Sequence, residues 1–75
     1  MKKLADLEIG RKAFIRKITT SDGIRRRLLD IGLIPNTEVI CLYQNPFGSI
    51  KAYLIRGSVL AIRQDDASKI EVEFA

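Results

Sequence analysis

Residues 24–37, IRRRLLDIGLIPNT, join a short helix, a glycine stop and a proline turn with no slack between them, and this stretch decides the architecture. Just upstream, Thr20, Ser21 and Asp22 offer side-chain oxygens that can accept hydrogen bonds from the free N–H groups of a first helical turn, so the helix is expected to begin there. Ile24, Leu28 and Ile31 are spaced i, i+4, i+7, which at about 100° per residue makes one narrow apolar stripe for a core. Gly32 stands just past the last periodic residue, where helices commonly end on a positive φ that glycine adopts without a Cβ penalty. The helix should therefore stop near Ile31. Pro35 presets φ for the second position of a turn, and Asn36 is the best non-glycine choice for the third position of a type II turn. A strand should leave at once.

Beyond the turn the period changes from 3.6 to 2, the signature of strands with one buried face. Over residues 37–43, Val39, Cys41 and Tyr43 alternate with Glu38, Ile40 and Leu42, and because both sets are largely apolar the strand reads as covered on both sides. Residues 45–49 supply turn chemistry, Ile50–Ile55 runs to a second turn at Arg56, Gly57 and Ser58, and residues 59–63 form the next strand. Residues 65–68 read as a short connector. Ile70, Val72 and Phe74 then alternate with the exposed acids Glu71 and Glu73. Residues 13–18, after Gly10, read as the first strand, giving the order β, α, then four β. Five short strands, tight turns and one small helix fit a mainly β, partly open SH3-like barrel that largely removes sheet edges. An OB-type barrel is the second choice, since its helix usually sits between later strands.

With 75 residues, 47% of them hydrophobic, the chain is expected to form one domain over residues 1–75. A single cysteine, Cys41, excludes an internal disulfide, and a cytoplasmic location is expected. Lys2 and Lys3 resemble the start of a signal peptide, but no apolar run of roughly 7 to 15 residues follows. No segment reaches the roughly 18 apolar residues of a membrane span, so contact with a membrane should be peripheral and through a partner. The net charge of +4 hides an asymmetry: residues 1–27 carry nine Lys or Arg against three acids, the remainder four against six. That basic third is either solvated surface or an attractant for an acidic protein face, a lipid surface or nucleic acid.

Leu7 and Gly10, Ala13 and Ile15, the run RRRLLDIGLIP, the turn NPFG, RGSVLAIR, and Ala67 with Ile70 together form a pattern that resembles the FeoA family over nearly the whole chain. The most specific part is RLLDIGLIP coupled to an aromatic-glycine turn and a leucine-alanine-isoleucine-arginine strand. The resemblance implies a small cytosolic SH3-like protein that accompanies a membrane ferrous iron transporter bearing a GTPase domain, with related barrels at the C-termini of iron-dependent repressors. No winged-helix segment precedes the barrel here, so the free-standing accessory protein is the closer match. Asn36 stands where the family's turn usually has glycine, and asparagine tolerates the same left-handed geometry.

The chemistry of sites is expected to be sparse. With no histidine and one cysteine there is no triad, Cys/His dyad or HExxH motif, so neither catalysis nor a bound cofactor is expected. Asp65 and Asp66 are the only adjacent carboxylates and read as a turn rather than a cation site; no bound metal is expected, and any GTP should belong to the partner. Cys41, in mid-strand, reads as a buried inert thiol.

What remains is surface recognition. Leu29 lies about 130° from the centre of the Ile24, Leu28, Ile31 stripe, so either Leu4 and Leu7 fold over it or it is an exposed anchor. Arg25 flanks it, Arg26 lies nearer the outer face with Asp30, and Arg27 borders the stripe. An aliphatic anchor ringed by guanidinium groups suits an acidic, partly apolar surface. Phe47, between Pro46 and Gly48, is either tucked back as a lid, the favoured reading, or offered outward. The expected partner-binding residues are thus Leu29, Arg25, Arg26 and Phe47. The rival readings are a barrel that binds nucleic acid and a metal-sensing domain; the first needs exposed aromatics, whereas most of the five here sit in strand patterns that point to core. Weak self-association through an uncovered edge such as Ile70–Phe74 is a further expectation, blunted by Glu71 and Glu73.

Overall fold

The structure of the protein is a computed structural model that describes residues 2–19, 22–30 and 32–75, without the side chains of residues 22 and 24. Thr20, Ser21 and Ile31, and the side chains of Asp22 and Ile24, lie outside what is described, and with them the expected cap and two positions of the apolar stripe. In chain order the elements are β1 (Lys2–Lys3), a 3-10 turn (Leu4–Asp6), β2 (Lys12–Ile18), α1 (Asp22–Asp30), β3 (Glu38–Gln44), β4 (Ile50–Ile55), β5 (Ser58–Arg63), α2 (Gln64–Ala67) and β6 (Ile70–Phe74). The six strands form one antiparallel sheet in the order β1-β6-β2-β3-β4-β5. The mainly β, SH3-like expectation holds. Two elements exceed it: the two-residue strand at the start, and α2, where Ser68 closes one helical turn in place of a plain connector by donating its N–H to Gln64 O at 2.9 Å.

The stop after α1 is built as its glycine requires. Gly32 N–H donates to Leu29 O at 3.0 Å and Leu33 N–H to Leu28 O at 2.9 Å, the paired bonds of a Schellman motif, with Gly32 at φ 98°. Leu28 and Leu33 both enter the core, supplying the apolar contact that accompanies the motif. Thr37 N–H then closes the turn on Ile34 O, and Asn36 has φ 71°, so Pro35 and Asn36 occupy the second and third positions of a type II turn as expected. Reciprocal bonds from Asn36 N–H to Ile15 O and from Ile15 N–H to Thr37 O fasten the turn to β2.

One cluster gathers Ala13, Ile15 and Ile18 from β2, Val39 and Cys41 from β3, Tyr53 and Ile55 from β4, Ile62 from β5 and Ile70 and Val72 from β6. A flat sheet could not bring one face of five strands together, so the sheet curls around this core. Register shifts between Ile15 and Lys17 and between Cys41 and Tyr43 supply local bends. The second shift also corrects the reading of β3. It breaks the alternation after Cys41, turning Tyr43 outward at 60% exposure, and Ile40 and Leu42 are half-buried, so the strand is not covered on both sides.

A second correction concerns the edges. β6 lies between β1 and β2, so Ile70–Phe74 is not a free edge; the free edges are β1 and β5.

Candidate functional site

Burial changes abruptly along α1. Leu28 is 7% exposed and packs in the core, whereas Leu29 is 37% exposed and stands outside that cluster. Leu4 and Leu7 do not fold over it; both are fully buried in the core instead. The reason lies in β4, where the Lys51 ammonium donates to Ala5 O at 2.8 Å and Leu7 O at 3.0 Å, and the Tyr53 hydroxyl donates to Leu4 O at 3.3 Å. These bonds draw the 3-10 turn into the barrel and away from α1. Arg25, Arg26, Arg27 and Asp30 are exposed, so α1 offers Leu29 amid cationic side chains.

Phe47 is 90% exposed, which overturns the lid reading. Its turn is stapled from within: Gly48 N–H donates to Asn45 O at 3.0 Å, Ile50 N–H to Asn45 Oδ1 at 3.1 Å, and Asn45 Nδ2 to Ser49 Oγ at 3.0 Å. A five-residue loop held this tightly puts Phe47 at the apex, with Gly48 at φ 73° completing the reversal. The expected partner-binding residues therefore come from two elements, Arg25, Arg26 and Leu29 from α1 and Phe47 from the β3–β4 hairpin.

The expectation that most aromatic residues sit in the core also fails. Tyr53 is fully buried and Phe14 half-buried, but Tyr43, Phe47 and Phe74 are exposed. Cys41 is fully buried, and burial raises its thiol pKa above the ordinary 9.0, an effect the nearby Lys51 ammonium partly offsets. A thiol held protonated is a poor nucleophile. Burial also raises the Tyr53 phenol, with the neighbouring Cys41 adding to the shift. Among the described residues no three His, Cys, Asp or Glu side chains gather as a metal site, and no helix is long and apolar enough to cross a membrane.

Sequence reasoning missed Lys51, the one buried charged residue among those described, although a lysine inside the apolar strand IKAYLI was a signal that its ammonium must find backbone acceptors. It also missed Arg16, whose guanidinium donates to Asn36 Oδ1 and, at 2.7 Å, to Glu73 Oε2, bracing the proline turn against β6.

The model of the FeoA domain matches residues 2–74. The FeoA protein of Chlorobium tepidum is similar in structure at a TM-score of 0.94 and 29% identity, over 97% of this chain and 70% of that one. A FeoA-like protein from Clostridium acetobutylicum gives a TM-score of 0.85 at 31% identity over 99% and 90% of the two chains. The zinc complex of Stenotrophomonas maltophilia FeoA, described as a prokaryotic SH3 domain protein and a candidate ferrous iron transport activating factor, shares the fold at a TM-score of 0.85 and 22% identity, over 97% and 91%. No curated protein sequence matches the chain.

Proposed function

The chain belongs to the FeoA family, and from that premise we propose that it is a non-enzymatic accessory of ferrous iron uptake that docks on the cytosolic, GTPase-bearing part of a membrane iron transporter. The observation that carries the docking role is Leu29, 37% exposed beside Arg25 and Arg26 on a helix whose neighbouring Leu28 is buried. An exposed leucine with guanidinium neighbours suits a partner surface that is apolar at its centre and acidic at its rim. Phe47 supplies a second, separate contact. A titration of the isotope-labelled protein with the soluble GTPase region of the transporter, followed by amide NMR, tests this. Shifts should centre on α1 and the β3–β4 tip, and Leu29→Asp should weaken binding by about tenfold or more, as truncation of an interface anchor does, with the spectrum of the free protein preserved. Unchanged affinity removes Leu29 from the interface.

The exposed Tyr43 and Phe47 support a second reading, stacking of single-stranded nucleic acid beside the basic first third of the chain. Steeply salt-dependent binding of oligonucleotides would favour it over protein docking.

A further inference from the structure

The β4–β5 hairpin closes through Arg56 and Gly57, both at positive φ (52° and 82°), with Ile55 opposite Ser58. A two-residue turn of this kind makes Ile55 and Ser58 a hydrogen-bonded pair, and such pairs alternate along an antiparallel ladder. Counting back from the turn, Ser58, Leu60 and Ile62 bond to β4, whereas Val59 and Ala61 direct their N–H and C=O groups away from it. No strand lies on that side, and among the described residues no turn or loop backbone bond reaches either residue. β5 also lacks the usual protection of an edge: it is six residues long, SVLAIR, with one charge, at its end, and no proline.

From Leu60 onward this edge borders a groove of about 540 Å³, lined also by Arg27 and Leu28 of α1 and, toward α2, by Arg63 and Asp66. Val59 lies just outside it and is 59% exposed, so the strand edge is open to an incoming segment. A Cβ on Gly32 would come within 2.6 Å of the Arg56 side chain, so the hairpin tip and the residues just after α1 meet closely. Two arginines and one aspartate line this space. Neither Arg27 nor Arg63 takes part in the ion pairs found among the described residues, Lys12 with Glu38 and Arg16 with Glu73.

We propose that the groove between α1 and β5 binds an extended acidic peptide segment of a partner protein, which adds to the sheet as a seventh strand. The unpaired groups of Val59 and Ala61 give main-chain affinity, and Arg27 and Arg63 select carboxylate side chains. Self-pairing of two β5 edges is disfavoured because it would bring four of these arginines together. The inference stands on edge geometry and charge, and does not rest on the transporter assignment.

The test uses an acetylated, amidated hexapeptide of alternating Glu and Val, added to the full chain and followed by amide NMR and hydrogen exchange. The expected result is shift changes at Val59 and Ala61 with slowed exchange of their amides. N-methylation of alternate peptide amides should weaken binding by about tenfold, the loss of one or two net hydrogen bonds. Ala61→Pro, which removes an outward N–H that β4 does not use, should abolish binding with the fold intact, and Arg27→Glu should shift preference to a basic control hexapeptide of alternating Lys and Val. Equal binding of the acidic and basic peptides, binding unaffected by Ala61→Pro, or no shift at millimolar peptide would overturn the proposal. So would β5 shifts that depend on protein concentration alone, since the occupant would then be a second copy of the chain.

Discussion

The two free edges of the sheet are finished in opposite ways. β1 is two lysines long and runs directly into a 3-10 turn whose carbonyls are gripped by Lys51 and Tyr53, while β5 is six residues long and borders a groove. The sealed edge is short and charged, and the backbone acceptors that adjoin it are already taken by donors from inside the barrel, so it offers little for another strand to pair with. The open edge keeps its backbone groups available beside cationic side chains. Edge protection is therefore local in this fold: the chain has buried a lysine to close one end and has left the other unguarded.

The largest effect on that contrast should come from Tyr53→Ala. Tyr53 is fully buried, joins the core and holds Leu4 O, so truncation opens a cavity and frees an acceptor in one step. A loss of about 3–5 kcal/mol is expected in denaturant unfolding, in line with large aromatic truncations. In a domain this small that consumes much of the total stability. A loss below about 1 kcal/mol would mean that the sealed end contributes little to stability.

Lys51→Met comes next and isolates the seal itself, since it keeps the apolar stem and removes only the ammonium. Ala5 O loses its 2.8 Å donor and Leu7 O its 3.0 Å donor. Ala5 O keeps the Gln64 amide at 3.4 Å, but Leu7 O is left as a buried acceptor without this donor, which costs about 1–3 kcal/mol, and exchange of the β1 amides should quicken with it. Arg63→Ala on the exposed end of the open edge should change stability by less than about 0.5 kcal/mol, the ordinary result for a surface site. Equal losses at the two positions would erase the distinction between the edges.

How much of this was legible depended on whether the signal was local. The Gly32 stop, the Pro35–Asn36 turn and the strand Ile50–Ile55 could all be read because each rests on the conformational limits of its own residues. The sealed edge could not, because the pairing of β1 with β6 and the reach of Lys51 to Leu7 O join residues more than forty positions apart. Tyr43 failed for a related reason: strict alternation assumes an unbroken ladder, and a single register shift after Cys41 reverses the faces. Of the candidate site, the odd position of Leu29 on the helix was visible as an angle, but its exposure depended on where Leu4 and Leu7 went. The groove at β5 was invisible, since strand order alone shows which edge is free.

The smallest effect is an alkaline one, and it again separates the two edges. Burial raises both Tyr53 and Cys41 above their ordinary values of 10.0 and 9.0, so the unfolded chain gives up these protons at lower pH than the folded protein does. Over that interval the unfolded state holds fewer protons, and stability falls as pH rises. The stabilisation is thus fully present below about pH 9 and is lost progressively above it. Tyr53→Phe should remove the part of the decline that begins near pH 10, and Cys41→Ala the part that begins near pH 9. Both groups lie on the core side of β3 and β4, so Arg63→Ala at the open edge should leave the profile unchanged. Unfolding midpoints measured from pH 7 to 10.5 check this, and a wild-type curve that stays flat to pH 10.5 would show that neither proton is held by the fold.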